Sequence, residues 1–166
     1  MKTQLNHTTY IKSIFSFFTL AFLFSILSCS KPSAVILADL KCEYRANPLG
    51  IDNTKPRLSW KLIDNNSTRG QKQTAYQVLV SRTLEGLNRN LGDIWDSGKV
   101  ESNTSVNSDY NGKALESGEE YFWKVKVWDV SGQVSNWSEI AHFSMGLLNK
   151  EDWKGAWIYK KDQNKK

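Results

Sequence analysis

The chain has 166 residues, of which 40% are hydrophobic and 23% are charged, and its formal net charge is +5. This composition is typical of a folded globular protein and excludes a disordered chain, which would be poorer in hydrophobic residues. The length suits one domain and excludes a full-size catalytic barrel of about 250 residues within this sequence.

Residues 1–28 are predicted to form a bacterial lipoprotein signal peptide with a helical apolar segment. Residues 14–27 carry no charge, and this run is shorter than the roughly 20 residues of a membrane-spanning helix. It ends in Ile-Leu-Ser-Cys at Cys29, which resembles the lipobox of bacterial lipoproteins, whose cysteine is acylated after cleavage. We therefore expect a lipid on Cys29 that anchors the protein in the bacterial cell envelope. The non-acidic Ser30 favours the outer membrane, facing the periplasm.

Few residues after the signal peptide are suited to metal or nucleophilic chemistry. The sequence has two cysteines, so a lipid on Cys29 leaves Cys42 without a disulfide partner. His142 is the only histidine after the signal peptide, which argues against a histidine-based metal site or catalytic triad. The sequence therefore predicts no metal and no cofactor, and stability that comes from a hydrophobic core.

Residues 37–146, after a tether at 29–36, are predicted to form an all-β domain. Short runs alternate apolar and polar residues, and clusters of Asn, Gly, Asp and Ser separate them, as strands and tight turns require. Strands are predicted near residues 37–44, 57–63, 74–81, 94–100, 104–107, 120–129 and 140–145. About seven antiparallel strands in this length indicate an immunoglobulin-like or fibronectin type III β-sandwich. A closed barrel is the alternative, but it would need more even strand lengths.

The same alternation assigns inward and outward positions. Trp60 and Trp123 fall on inward faces and are predicted to pack in the core. Leu115 precedes Tyr121 by six residues at the start of the longest strand. This spacing predicts a tyrosine corner, in which the Tyr121 hydroxyl bonds back to the preceding connection, although an ordinary core tyrosine is the alternative.

Three further tryptophans are candidates for carbohydrate or domain-interface contact: Trp95, Trp128 and Trp137. Aromatic rings stack on the apolar faces of sugars, so surface tryptophans suit glycan binding. Trp128 shares a strand face with Lys124 and Lys126, and Trp137 precedes the last strand, from where its ring can fold back onto a lysine. Structural bracing through cation–π contacts is therefore favoured over sugar binding.

The carboxylates and the basic residues do not form a recognisable catalytic or nucleic-acid site. The clustered acids are interpreted as a solvated loop, and the acids at strand ends as turn formers. The clustered acids are Glu116, Glu119 and Glu120; those at strand ends are Asp93, Asp96 and Asp129. The basic residues are scattered singly, apart from the C-terminal tail, which argues against a nucleic-acid partner. No catalytic residue is predicted.

Several blocks of sequence occur in a characteristic order over residues 39–158. They are NPLGID at 47–52, PRLSW at 56–60, QTAYQVLV at 73–80, DIWDSGKV at 93–100, YFWKVKVWD at 121–129 and WSE at 137–139. Together they resemble the N-terminal immunoglobulin-like domain of bacterial α-L-rhamnosidases, glycoside hydrolase family 78. In that family, further β-sandwiches and an (α/α)6 barrel with the acidic catalytic residues follow this domain.

The resemblance implies a non-catalytic accessory module of a rhamnoside-degrading glycoside hydrolase. Residues 147–166 look like the start of a following domain or an unstructured tail, in which Trp153 and Trp157 would contact the neighbouring domain. The expected partners are the membrane, through the Cys29 lipid, and the remaining rhamnosidase domains or a rhamnose-containing glycan. The chain then looks like a truncated or split gene product, or the first part of an intact rhamnosidase. A stand-alone cell-envelope lipoprotein that binds glycan or protein through exposed tryptophans is the alternative.

Overall fold

The computed structural model describes residues 33–64, 70–156 and 158. These residues form eight strands, one short helix and one 3-10 turn. In chain order they are β1 (Val35–Cys42), β2 (Arg57–Asp64), β3 (Gln73–Ser81), α1 (Leu84–Asn88), β4 (Trp95–Asp96), β5 (Val100–Glu101), β6 (Ser108–Asp109), β7 (Glu120–Asp129), β8 (Ala141–Ser144) and the 3-10 turn Lys150–Asp152. In the part of the chain so described, no helix has the length and apolar character needed to cross a membrane. The predicted signal peptide, Cys29 and Trp157 lie outside the described residues.

The strands form two antiparallel sheets. One sheet has the order β1-β2-β6 and the other has the order β4-β3-β7-β8. β5 also pairs with β3, on the edge that β4 occupies further along the strand. The longest pairing joins β3 to β7, from Gln73 opposite Asp129 to Ser81 opposite Phe122. The predicted all-β, immunoglobulin-like sandwich is confirmed.

The core lies between the sheets and is built from the inward positions of the alternating strands. Trp60 is 2% exposed and Trp123 is 0% exposed, so the predicted core positions of both tryptophans are confirmed. The indole N–H of Trp60 donates to Oε1 of Gln73 at 2.9 Å, whereas Nε1 of Trp123 is buried and has no hydrogen-bond partner among the residues that the structure describes. The two largest rings of the core therefore differ in how their polar atoms are satisfied.

The predicted tyrosine corner is also confirmed. Tyr121 is fully buried, and its hydroxyl accepts a hydrogen bond from the backbone N–H of Glu116 at 2.8 Å. The ring stacks on Phe143 of β8, with 5.6 Å between the ring centroids. Through these contacts one residue holds the start of β7 to the connection before it and to the neighbouring strand.

Three of the predicted strands differ from the observed ones. The strand predicted at 37–44 ends at Cys42, because Glu43 and Tyr44 turn the chain with φ values of 47° and 66°. The predicted strand 94–100 is two short strands, β4 and β5, because the chain turns at Gly98, which has a φ of 60°. The Ser97 hydroxyl accepts the backbone N–H of Val78 there, at 2.9 Å. The strand predicted at 104–107 is displaced to Ser108–Asp109, where β6 pairs with β2.

The helix α1 was not predicted from the sequence. Five residues are too few to show a helical period in the hydrophobic pattern. Its N-cap, Thr83, accepts the backbone N–H of Gly86 at 3.1 Å, and Leu87 is its buried residue. The connection from β3 to β4 is therefore ordered around this one turn and a half of helix.

The structured domain also extends beyond the predicted boundaries at residues 37 and 146. β1 begins at Val35, inside the range 29–36 assigned to a tether, because buried Ser33 donates to Oδ2 of Asp129 at 2.6 Å. At the other end, the backbone N–H of Leu148 donates to the Ser117 hydroxyl at 3.0 Å. Part of the range predicted as a tail is thus bound to the β-sandwich.

Candidate functional site

The outward face of β7 carries a row of tryptophan rings and lysines, here called the aromatic ladder. It consists of Lys99, Trp128, Lys126, Trp137 and Lys124. The ammonium of Lys126 lies 5.4 Å from the Trp128 ring centroid and 4.6 Å from that of Trp137. Lys99 lies 5.3 Å from Trp128, and Lys124 lies 4.9 Å from Trp137. The predicted cation–π bracing of Trp137 is confirmed, and each of these tryptophans contacts two cations.

Two serines hold Trp137 in this position. Ser135 and the β7 residue Val127 exchange two hydrogen bonds, from Ser135 N–H to the Val127 carbonyl and from Val127 N–H to the Ser135 hydroxyl. Ser138 and Val125 exchange the same pair. The segment 134–138 thereby covers the free edge of β7 beyond β8. The hydrogen bonding of these two serines to the edge of β7 was not predicted. In the sequence it is indicated only by two serines three residues apart on either side of a tryptophan.

Lys124 is the buried end of the aromatic ladder, at 5% exposed. Its ammonium donates to the carbonyl of Leu87 and, at 2.7 Å, to Oδ1 of Asn90, and no carboxylate is within ion-pairing distance in the described residues. Burial lowers the pKa of Lys124, and the positive charge of nearby Lys126 lowers it further. The Lys124 ammonium thus joins β7 to α1 and to the residue Asn90 that follows it. Its described contacts are with two carbonyl oxygens and the Trp137 ring, which indicates a structural role.

Trp95, the third candidate ring, is partly buried against the core. It meets Tyr110 edge-on, with centroids 5.2 Å apart and ring planes at 74°. A Cβ added at Gly112 would lie 2.5 Å from Cβ of Trp95 and 2.4 Å from the Tyr110 hydroxyl. Any residue larger than glycine at this position would therefore collide with the two rings' side chains. Packing therefore accounts for the position of Trp95, and its prediction as a carbohydrate contact stays a prediction.

A second candidate surface lies where the chain leaves the β-sandwich, here called the C-terminal face. It exposes three large apolar side chains: Leu49 is 78% exposed, Leu147 is 49% exposed and Trp153 is 58% exposed. Backbone bonds hold their segments together, since Gly146 N–H donates to the carbonyl of Ile51 at 2.7 Å. The Ser117 hydroxyl donates to Asp152, which places the 3-10 turn before Trp153 against the same end of the domain. Trp157 falls outside the described residues.

The titratable groups give no catalytic arrangement in residues 33–64, 70–156 and 158. Glu116 and Glu119 lie exposed in a loop, as expected, and Glu116 pairs with Arg82. Glu120 is also exposed, but it begins strand β7 opposite Ser144 instead of lying in the loop. Burial raises the pKa of the Cys42 thiol to about 12, so this buried sulfur is not a thiolate nucleophile at neutral pH. Within the same described residues, no three His, Cys, Asp or Glu side chains are grouped to hold a metal ion.

Comparison with known proteins places residues 37–149 of the chain in a family. The family described as Rha78A-like, N-terminal immunoglobulin domain, matches residues 37–149. An alpha-L-rhamnosidase of Alteromonas sp. (strain LOR) is 42% identical over 138 residues, covering 83% of this chain and 14% of that protein. An alpha-L-rhamnosidase of Formosa agariphila is 41% identical over 152 residues, covering 90% of this chain and 16% of that protein.

A solved structure gives the same result in three dimensions. The alpha-L-rhamnosidase from Dictyoglumus thermophilum superposes with a TM-score of 0.74 and 47% sequence identity, over 80% of this chain and 15% of that chain. The chain thus spans about one seventh of the length of these relatives, and the matching part is their immunoglobulin domain rather than the remainder. The resemblance drawn from the sequence blocks is confirmed. This chain belongs to the family of Rha78A-like N-terminal immunoglobulin domains found in alpha-L-rhamnosidases.

Proposed function

We propose that this protein is a lipid-anchored, non-catalytic accessory domain that docks, through its C-terminal face, on the other domains of an α-L-rhamnosidase-type glycoside hydrolase. The single observation that carries the docking step is the grouping of Leu49, Leu147 and Trp153 at the end where the chain leaves the β-sandwich. Large apolar side chains grouped on a surface mark protein interfaces, and this end is where a following domain would be joined.

The C-terminal face is also built to be rigid. The Ser144 carbonyl accepts the N–H of Ile51 at 2.9 Å, and the Ser144 hydroxyl accepts the N–H of Gly50 at 3.0 Å. The carboxylate of Asp152 accepts the backbone and the side-chain N–H groups of Asn149 at 3.0 and 3.1 Å. A face that is already ordered loses less conformational entropy on docking than a mobile one, which favours an interface.

Docking is tested with the Formosa agariphila relative from which the matched domain has been removed. Full-length protein is titrated with that polypeptide, and Leu147→Ser is compared with the control Leu91→Ser, because Leu91 is 56% exposed but lies outside the C-terminal face. We expect binding that Leu147→Ser weakens about tenfold and that Leu91→Ser leaves unchanged. Equal binding by wild type and both variants, or none at all, would reject the docking surface.

The lipid anchor is the second part of the proposal, and it is supported by the apolar run before Cys29 and the small residue Ser28. Acylation at Cys29 would hold the domain at the bacterial outer membrane, facing the periplasm. Globomycin is expected to cause the precursor to accumulate in cells. Cys29→Ser is expected to move the protein out of the detergent phase, with Cys42→Ser as the matched control. Identical partitioning of Cys29→Ser and wild type would contradict the anchor.

The absence of catalysis by this chain is the third part, and it is supported by the match to the immunoglobulin domain alone. Hydrolysis of a glycoside needs two carboxyl groups on opposite sides of the sugar, with one pKa raised by burial. Glu116, Glu119 and Glu120 are all exposed, the first two in the connection before β7 and Glu120 at the first position of β7. Purified full-length protein is expected to leave p-nitrophenyl α-L-rhamnopyranoside intact. Turnover that disappears in Glu116→Gln would overturn this expectation.

A further inference from the structure

A groove of about 230 Å³ lies over β1 and β2, and its lining shares no residue with the two surfaces described above. Its walls are Asp39, Lys41, Tyr44, Ser59, Trp60, Lys61 and Val106. Most of these residues are polar or charged, and the groove contains one largely exposed aromatic ring, that of Tyr44, at 58%.

A β-bulge directs a carboxylate into this groove. Ala38 pairs with Lys61 and Lys41 pairs with Ser59, so β1 has one more residue than β2 between these two pairs. Asp39 takes up the difference with a φ of 50°, in the left-handed region that non-glycine residues seldom adopt. In that position Oδ2 of Asp39 lies 2.7 Å from the Lys61 ammonium and 3.3 Å from the Lys41 ammonium.

The exposed ring of Tyr44 is held in place by a chain of charged contacts. The Arg57 guanidinium lies 4.9 Å from the ring centroid. Glu43 in turn holds Arg57, accepting its Nη2 at 2.8 Å and its backbone N–H at 2.7 Å. Hydrogen bonding from Arg57 holds the pKa of Glu43 below its usual value, so this carboxyl remains ionised at neutral pH.

The backbone at Tyr44 is strained in a way that glycine would relieve. Its φ is 66°, and Glu43 before it has a φ of 47°. A bulky aromatic residue in this region is an outlier, and such strain concentrates at functional positions. Nothing in the core requires the ring, because the side chain is largely exposed. The ring is therefore positioned for contact with something outside the domain.

We infer that this groove binds a pyranose sugar ring. A pyranose has an apolar face of C–H groups that stacks on an aromatic ring, and it carries neighbouring hydroxyls on its rim. A carboxylate accepts hydrogen bonds from such hydroxyls, and an ammonium donates to their oxygens. Tyr44 supplies the ring, and the adjacent Asp39 and Lys61 supply an acceptor and a donor 2.7 Å apart, which suits a pair of neighbouring hydroxyls.

Sugar binding is tested by adding L-rhamnose, D-glucose and D-galactose separately to isotope-labelled full-length protein and following backbone amide shifts by NMR. L-rhamnose is chosen because of the proposed function, whereas D-glucose and D-galactose are chosen independently of it. D-sorbitol, which has hydroxyls but no ring, is the ligand control. We expect at least one pyranose to shift amides at 39–44 and 59–61, with millimolar affinity, and D-sorbitol to shift none of them.

Tyr44→Gly is the decisive variant, because it removes the ring while relieving the left-handed strain, so the domain keeps its fold. We expect binding to weaken roughly tenfold or more, as for loss of the central contact of a small site. The control Leu91→Ala, at an exposed apolar position outside the groove, is expected to bind like wild type.

The inference would be overturned by no groove shifts with any pyranose, by equal shifts with D-sorbitol, or by unchanged binding of the sugar to Tyr44→Gly. Shifts confined to the aromatic ladder would also overturn it, since they would place the sugar elsewhere. Docking on rhamnosidase domains is measured with a different partner and different variants. A failure of this groove therefore leaves the proposed docking function standing, and the reverse also holds.

Discussion

The two faces of β7 stabilise aromatic rings by different physical means. On the inner face, Tyr121, Trp123 and Val125 are fully buried and belong to the hydrophobic core cluster. On the outer face, Trp128 and its neighbour Trp137 are partly exposed, and lysine ammonium groups lie over their rings. The same strand thus carries Trp123, which depends on exclusion of water, and Trp128, which is contacted by cations as Trp137 is.

The difference shows that the number of tryptophans does not by itself say what each ring contacts. The sequence contains seven tryptophans, a number that suggests sugar-binding rings on an envelope protein. Two are core residues, and Trp128 and Trp137 are already covered by two cations each. The Tyr44 ring, by comparison, has one cation near it, the Arg57 guanidinium at 4.9 Å from the ring centroid. The ring that we propose for ligand contact is instead that of Tyr44, which is 58% exposed in a turn with a positive φ.

The largest expected effect on stability comes from removing a buried ring from the inner face of β7. Trp123→Ala removes a fully buried ring and leaves a cavity, which is expected to lower the free energy of unfolding by about 3–5 kcal/mol. That is a large part of a typical total of about 5–15 kcal/mol. Urea denaturation followed by circular dichroism measures the change. A loss as small as that caused by Trp137→Ala would contradict the contrast between the two faces.

A second experiment compares the two core tryptophans with each other. Trp60→Phe leaves Oε1 of Gln73 without its indole donor, whereas Trp123→Phe removes an N–H that has no partner. An unsatisfied buried polar group costs about 1–3 kcal/mol, so Trp60→Phe is expected to destabilise more than Trp123→Phe. Matched urea titrations of the two variants give the difference directly. If Trp123→Phe proves the more damaging, ring packing outweighs hydrogen bonding at these sites.

On the outer face, Trp137→Ala is expected to cost on the order of 1 kcal/mol, because its cation–π contacts are partly exposed to solvent. Lys126→Met keeps most of the side-chain length but removes the charge shared by Trp128 and Trp137. It is expected to lower stability in the same direction, and the double variant by less than the sum of the two. Strict additivity in urea titrations would show that the ring and the cation act independently.

The smallest expected effect concerns pH and the contacts that support Tyr44. The pKa of Glu43 is lowered in the folded protein, first by hydrogen bonding from Arg57. Its ionised form therefore stabilises the fold above the ordinary carboxyl pKa of 4.5, and this contribution is lost as the pH falls through the lower folded value. Glu43→Gln is expected to flatten the loss of stability below that pH, measured by thermal unfolding. Glu151→Gln, at an exposed position, should keep the wild-type profile.

Much of the fold could be predicted from local pattern. Alternation of apolar and polar residues is a property of consecutive residues, and it correctly placed Trp60 and Trp123 inside. The spacing of Leu115 and Tyr121 predicted the corner because both partners of that hydrogen bond lie within six residues. The candidate surfaces were predicted less well, since the aromatic ladder was expected but Tyr44 and its groove were not.

The sequence by itself determined the β class of the domain, the strand faces and the aromatic core, because each depends on the two-residue period of a strand and on short turns. Only the tertiary structure decided the rest. Lys124 acquires its partners from Asn90, 34 residues away, and Asp39 meets Lys61 because a bulge changes the register between two strands. Such contacts depend on how strands pair across the sheet, and no local period in the sequence encodes that pairing.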